Sequence, residues 1–167
     1  VLDYKWQHGG YRALQPQVTG GDKIIIPTGP GSGTRMIRAA RKDNKLQLEE
    51  AWTSLDMKPD FNDVVIHQGH IYGFDNNIFG CISLEDGKRK WKGGRYEKGQ
   101  AILLADSDLI IVVSERGELG EHRADLHDRV VAQIAPRAVS GSPGRLDLEA
   151  GHILGGRSQG PGRSVRG

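Results

Sequence analysis

The stretch Asn62–Trp91 constrains the fold more than any other part of the chain. Its short apolar runs are cut by turn residues at Gln68-Gly69, Asp75-Asn76-Asn77 and Glu85-Asp86-Gly87, and a last run closes on Trp91. Runs of this length bounded by Gly, Asn and Asp predict strands, and Asp86-Gly87 marks a tight hairpin. The expectation is a four-stranded antiparallel meander with strands at Asp63–Ile66, His70–Phe74, Ile78–Leu84 and Lys88–Trp91. A lone meander is marginal in water, so the flanking sequence has to cover it.

That flanking sequence repeats the same order of elements. Before Trp52 come strands at Gln17-Val18, Lys23–Pro27, Thr34–Ala40 and Leu46–Trp52, with turns at Gly20-Gly21-Asp22, Gly29–Gly33 and Asp43-Asn44. After Trp91 come Ala101–Ala105, a turn at Asp106–Asp108, Leu109–Ser114 and a turn at Arg116-Gly117. The tryptophans Trp6, Trp52 and Trp91 recur at intervals of 46 and 39 residues. The first-strand positions Val18, Val65 and Leu103 recur at 47 and 38. Four-stranded repeats of about 40 residues are the signature of propeller blades. The fold class expected is therefore all-β, a partial β-propeller of about two to three four-stranded antiparallel blades. A β-sandwich is the rival, but it does not require a Trp closing every fourth strand.

Composition narrows the function. A net charge of +2 with no basic stripe does not point to nucleic acid. No run of about 18 apolar residues predicts a membrane span, and the opening residues do not form a signal peptide. The single cysteine, Cys81, excludes an intrachain disulfide and a cysteine-based zinc site.

Cys81-Ile-Ser-Leu-Glu-Asp-Gly-Lys-Arg-Lys-Trp91 resembles the tryptophan-docking motif of the quinoprotein-like (PQQ-like) β-propellers, Ala-x-Asp-x-x-Thr-Gly-Lys-x-x-Trp. Gly87, Lys88 and Trp91 match it, Cys81 stands for the small Ala, and Ser83 and Asp86 stand for Asp and Thr. Gly69-His-Ile-Tyr-Gly-Phe-Asp75 looks like the strand before that motif, and the resemblance covers about Lys5–Leu119. It implies docking roles for Cys81, Gly87, Lys88 and Trp91, with the Trp91 ring flat on Gly87 and on the next blade. Burying such a ring removes about 200 Å² from water, which is about 5 kcal/mol before entropy. The resemblance also implies a periplasmic or secreted bacterial protein. It supports a non-catalytic scaffold or binding module with a protein or envelope partner. The alternative is part of a quinoprotein dehydrogenase holding PQQ with calcium, a class that uses adjacent cysteines, calcium ligands and a catalytic Asp. A sugar- or polymer-binding propeller is a third reading. No cofactor, metal or catalytic residue is expected in the scaffold reading.

In a propeller the links between blades share one face, and polar and aromatic residues converging there are the default site. The links here are Gln7–Gln17, Thr53–Asp63 and Lys92–Gln100. Beside His8, they nominate Tyr11, Arg12, Gln15, Lys58, Asn62, Asp63, Arg95, Tyr96 and Gln100 as ligand-binding residues. The competing reading is that they are solvated loop residues and inter-blade hydrogen bonds. His67 and His70 lack a third metal ligand. Asp75-Asn76-Asn77 reads as turn chemistry rather than a calcium loop. Pro30–Thr34 is Gly-rich but carries no Lys and opens no helix, unlike a phosphate loop. Cys81, mid-strand, reads as a small buried hydrophobe.

From about Gly120 the pattern fades. The sequence beyond it has no aromatic and no Lys, while Arg recurs seven times from Arg123 to Arg166. Val130–Ile134 reads as the last strand of a third blade, giving a propeller segment over 1–134. Residues 135–167 read as a low-complexity, disordered tail, with a lost coding frame near Gly120 as its expected origin. Leu2–Trp6 reads as the last strand of a preceding blade. The partners then include the remaining blades of a longer protein, and the open ends are expected to aggregate.

Overall fold

The computed structural model describes residues 4–6, 13–29, 31–124 and 130–134. The chain divides after Arg137, and the described residues belong to the first unit, Val1–Arg137. The tail expected over 135–167 lies outside the described residues. Among the described residues all regular structure is β, apart from one 3-10 turn at Ala105–Ser107. Among the described residues no helix is long and apolar enough to cross a membrane.

Three antiparallel sheets follow one another along the chain, each a meander in sequence order. Sheet 1 holds β1 (Gln17–Gly20), β2 (Lys23–Pro27), β3 (Thr34–Lys42) and β4 (Lys45–Ser54). Sheet 2 holds β5 (Val65–His67), β6 (His70–Asp75), β7 (Ile78–Ser83) and β8 (Arg89–Arg95). Sheet 3 holds β9 (Gly99–Leu104), β10 (Leu109–Ser114), β11 (Leu119–Arg123) and β12 (Val130–Ile134). The meander expected over Asn62–Trp91 is thus sheet 2. The turns are where residues tolerant of positive φ stand. Asp43 and Asn44, at φ of 50° and 60°, form the two-residue turn of the β3–β4 hairpin.

Strand alternation decides what lies between the sheets. One face of sheet 2 sends Ile71 and Ile82 into a cluster with Ile25 and Met36 of sheet 1, with Trp52 packed against it. The other face sends Tyr72, Phe74, Phe79, Cys81 and Trp91 into a cluster with Ile110, Val112 and Ala124 of sheet 3. Sheet 2 is therefore covered on both faces, and β6 and β7 are buried at almost every position. This is why they read as near-continuous apolar runs rather than alternating ones. In β10 only Ile110, Val112 and Ser114 are buried, every second residue, because just one face of sheet 3 is covered by described residues.

The pattern that fades in the sequence from about Gly120 continues in the structure. β11 pairs with β10 from Leu119 to Arg123 and with β12 on its other side. Gly120 and Ala124 are buried and His122 is 2% exposed. These three residues face the core, so the sheet pattern runs on through Ala124. The signal was hidden because the inward residues, Gly120 and His122 of β11 and Ala124 just after it, are not large apolar ones.

Candidate functional site

The link from sheet 1 to sheet 2 lies across sheet 2 and is fastened along its length. Ser54 Oγ donates to Gly87 O at 2.5 Å, and Asp56 pairs with Arg89 at 2.9 Å. Met57 is buried against Gly73. Lys58 O accepts from Asn76 N at 3.2 Å, and Lys58 Nζ reaches Asp75 at 2.8 Å. Asp75, 3% exposed, also pairs with Lys92 and, at 3.5 Å, with Arg89. Burial would raise the Asp75 carboxyl, but the Lys58 and Lys92 ammonium groups outweigh it and hold it below the usual carboxylate range. The sequence-level reading of Asp75 as turn chemistry missed this cluster. Its partners lie 17 residues apart in sequence on one side and on the other, in elements that meet through the link.

The first strands of the three sheets are tied together at this link. Gln17 Nε2 donates to Val64 O at 2.7 Å. Asn62, fully buried, donates through Nδ2 to Gly99 O. Gln100 accepts from Asp63 N at 3.3 Å and donates to Phe61 O at 3.4 Å. Lys98 pairs with Asp60. His67 of β5 meets Asp108, beside β10, at 2.7 Å.

The second link carries Tyr96, which is 1% exposed. Its hydroxyl is hydrogen-bonded to His122 Nε2 at 2.9 Å. A Cβ at Gly120 would lie 2.6 Å from the Tyr96 ring, so glycine is needed there to admit it. His122 also stacks on Trp91, with ring centroids 5.6 Å apart and planes at 12°. Burial pushes the His122 imidazole down to about 4, so the ring bonded to Tyr96 is the neutral one. Burial raises the Tyr96 phenol and pushes the Cys81 thiol up to about 12, which leaves that sulfur unreactive.

Of the nominated residues, Asn62, Asp63 and Gln100 are brought together, Lys58 joins the Asp75 cluster, and Tyr96 joins His122. Gln15, Asp63 and Arg95 are exposed. Tyr11 and Arg12 lie outside the described residues. Lys58, Tyr96 and Gln100 bond to other links and sheets, and Asn62 does so through Nδ2, while its Oδ1 is buried with no hydrogen-bond partner among the described residues.

The docking expectation needs correction. Trp91 is buried at 9% exposure, opposite the fully buried Cys81, but it does not lie on Gly87. The ring on Gly87 is Trp52, from the preceding sheet. A Cβ at Gly87 would come within 2.7 Å of its Cε3, and Trp52 Nε1 donates to Leu84 O at 3.3 Å. Each Trp docks forward onto the next sheet, and the Gly87 turn faces sheet 1, so it receives the Trp of sheet 1. Lys88 has no part in docking, since its side chain is 80% exposed and pairs with Asp86 at 3.2 Å.

Among the described residues no group of three or more His, Cys, Asp and Glu side chains is arranged to hold a metal ion. No protein-family model matches the chain, and no curated protein matches it.

Proposed function

We propose that the three sheets are consecutive blades of a β-propeller of the PQQ-like class, and that the chain is a non-catalytic binding scaffold. The observation that carries this reading is a contact made twice in the same direction. Trp52 closes sheet 1 and docks on the sheet 2 turn at Leu84–Gly87; Trp91 of sheet 2 docks on His122 of sheet 3. The bonds that join β1 and β9 to the segment just before β5, through Gln17, Asn62 and Gln100, fit strands gathered toward one axis. The outward face of sheet 3, with Ile102 57% and Leu104 47% exposed, is the place where a further blade stacks.

The scaffold reading rests on how the polar groups are used. Lys58, Asn62, Tyr96 and Gln100 hold links and sheets, and Cys81 and His122 are buried in unreactive states. The partner is a protein or another component of the envelope, and the location periplasmic or secreted. Titration with PQQ and calcium, followed by quinone absorbance and equilibrium dialysis, tests the reading. No saturable binding is expected. Stoichiometric binding that needs calcium would replace the scaffold by the dehydrogenase alternative.

A further inference from the structure

β4 is the last strand of sheet 1, and at ten residues it is longer than the other described strands. Its first half is exposed on both faces, with Leu46 at 44%. A bare edge of this kind offers its backbone groups to another strand. The residues on it read Lys45-Leu46-Gln47-Leu48-Glu49.

The backbone fixes which of these residues face outward. The two-residue turn at Asp43-Asn44 makes Lys42 and Lys45 the hydrogen-bonded pair that closes the hairpin. Hydrogen-bonding direction alternates along an antiparallel strand. Lys45, Gln47 and Glu49 therefore bond to β3, while Leu46 and Leu48 turn their N–H and C=O toward the free edge. The register irregularity of β3–β4 lies beyond this stretch, between Met36 and Ile37.

We propose that this edge pairs with the same edge of a second copy, antiparallel, about a two-fold axis at Gln47. In that register Leu46 lies opposite Leu48 of the second copy, and each such pair exchanges both of its backbone hydrogen bonds. Lys45 lies opposite Glu49 of the second copy, so both ends of the pairing carry opposite charges, and the exposed Leu46 is covered by the half-buried Leu48 of the second copy. The charge pattern is self-complementary in this register. A shift by one residue turns inward the groups that have to bond. Among the described residues neither Lys45 nor Glu49 forms an ion pair. Arg38, which faces Glu49 across β3–β4, pairs with Asp22 at 3.5 Å instead. The proposal stands on β4 alone and does not depend on the propeller reading.

Sedimentation equilibrium of the full chain over a range of concentrations tests it, with circular dichroism confirming that each variant keeps its β content. The wild type is expected to dimerise reversibly. Glu49→Lys and Lys45→Glu each place like charges at both ends and are expected to weaken the dimer by about tenfold or more. Mixing the two variants is expected to restore pairing as a heterodimer, and the double variant K45E/E49K is expected to restore the homodimer. A wild type that stays monomeric would overturn the proposal. So would single variants that associate as tightly as the wild type, or a charge exchange that restores nothing. Association through the open face of sheet 3 would be indifferent to both substitutions and is recognised by that.

Discussion

The two interfaces of sheet 2 use the same architecture with different chemistry. Toward sheet 1, the arriving Trp52 sits on glycine and satisfies its indole N–H on Leu84 O, the first carbonyl after β7. Toward sheet 3, the equivalent carbonyl is that of Ala124, the first residue after β11, and Tyr72 takes it at 3.0 Å. The Trp91 indole N–H is left buried without a hydrogen-bond partner among the described residues, and the ring is held instead by stacking on His122 and by Phe79, 6.0 Å away. The repeat thus fixes where the ring arrives and leaves free what receives it. At the first interface the ring docks on the Gly87 backbone and the Leu84 carbonyl. The second has a histidine at its centre.

The largest expected effect separates the interfaces by size. Trp91, Tyr72 and Phe79 form a continuous aromatic cluster with His122. Trp91→Ala is expected to cost about 3–5 kcal/mol in urea unfolding, as large aromatic truncations do. Trp52 is only partly buried, and Trp52→Ala is expected to cost less. Equal losses would mean that the interfaces do not differ as described.

The next effect separates them by pH. Folded His122 resists protonation down to about 4, whereas an unfolded histidine titrates near 6.5. Between those values the unfolded state binds more protons, so stability falls as pH drops from about 6.5 toward about 4. The loss attributable to this residue is about 3 kcal/mol. His122→Phe is expected to flatten that part of the pH profile. A profile unchanged by the substitution would show that the histidine is not buried as described. Asp75 acts in the same direction at lower pH: its lowered carboxyl contributes stability that is lost as pH falls through its folded value, below the ordinary carboxylate range.

How much of this was legible in the sequence follows from what each residue faces. β2, β10 and β12 fall on the strands expected from Lys23–Pro27, Leu109–Ser114 and Val130–Ile134, because runs of Ile and Val between turn residues have few alternatives. β11 was half lost, because Gly120 and His122 look like loop residues until Tyr96 and Trp91 are placed over them. The Gly87–Trp91 spacing suggested a contact within one sheet. The glycine and the tryptophan of a repeat in fact serve opposite faces, and only the stacking order tells which Trp meets which Gly. The Asp75 cluster was illegible for a related reason, since a local turn already accounted for the Asp and its lysines arrive from the link and from β8.

A smaller effect tests the first interface alone. Gly87 has φ of +69°, and its missing Cβ is where Trp52 lies. Gly87→Ala is expected to cost about 1–3 kcal/mol from backbone strain and overpacking together. It should also raise the indole fluorescence of Trp52 to solvent-exposed character while leaving the fall in stability between pH 6.5 and 4 intact. Loss of the pH dependence in this variant would mean that the two interfaces are not separate.

Proton NMR distances around Gly87 test the account most directly, because they ask which tryptophan the turn receives. The structure places Cε3 and Cζ3 of Trp52 over Gly87 and the Trp91 ring over His122. Cross-peaks are therefore expected between the Gly87 Hα protons, shifted upfield by the ring, and the Trp52 indole, and between the Trp91 indole and the His122 ring. Cross-peaks from Gly87 to Trp91, with none to Trp52, would contradict the forward docking of each sheet's tryptophan onto the next.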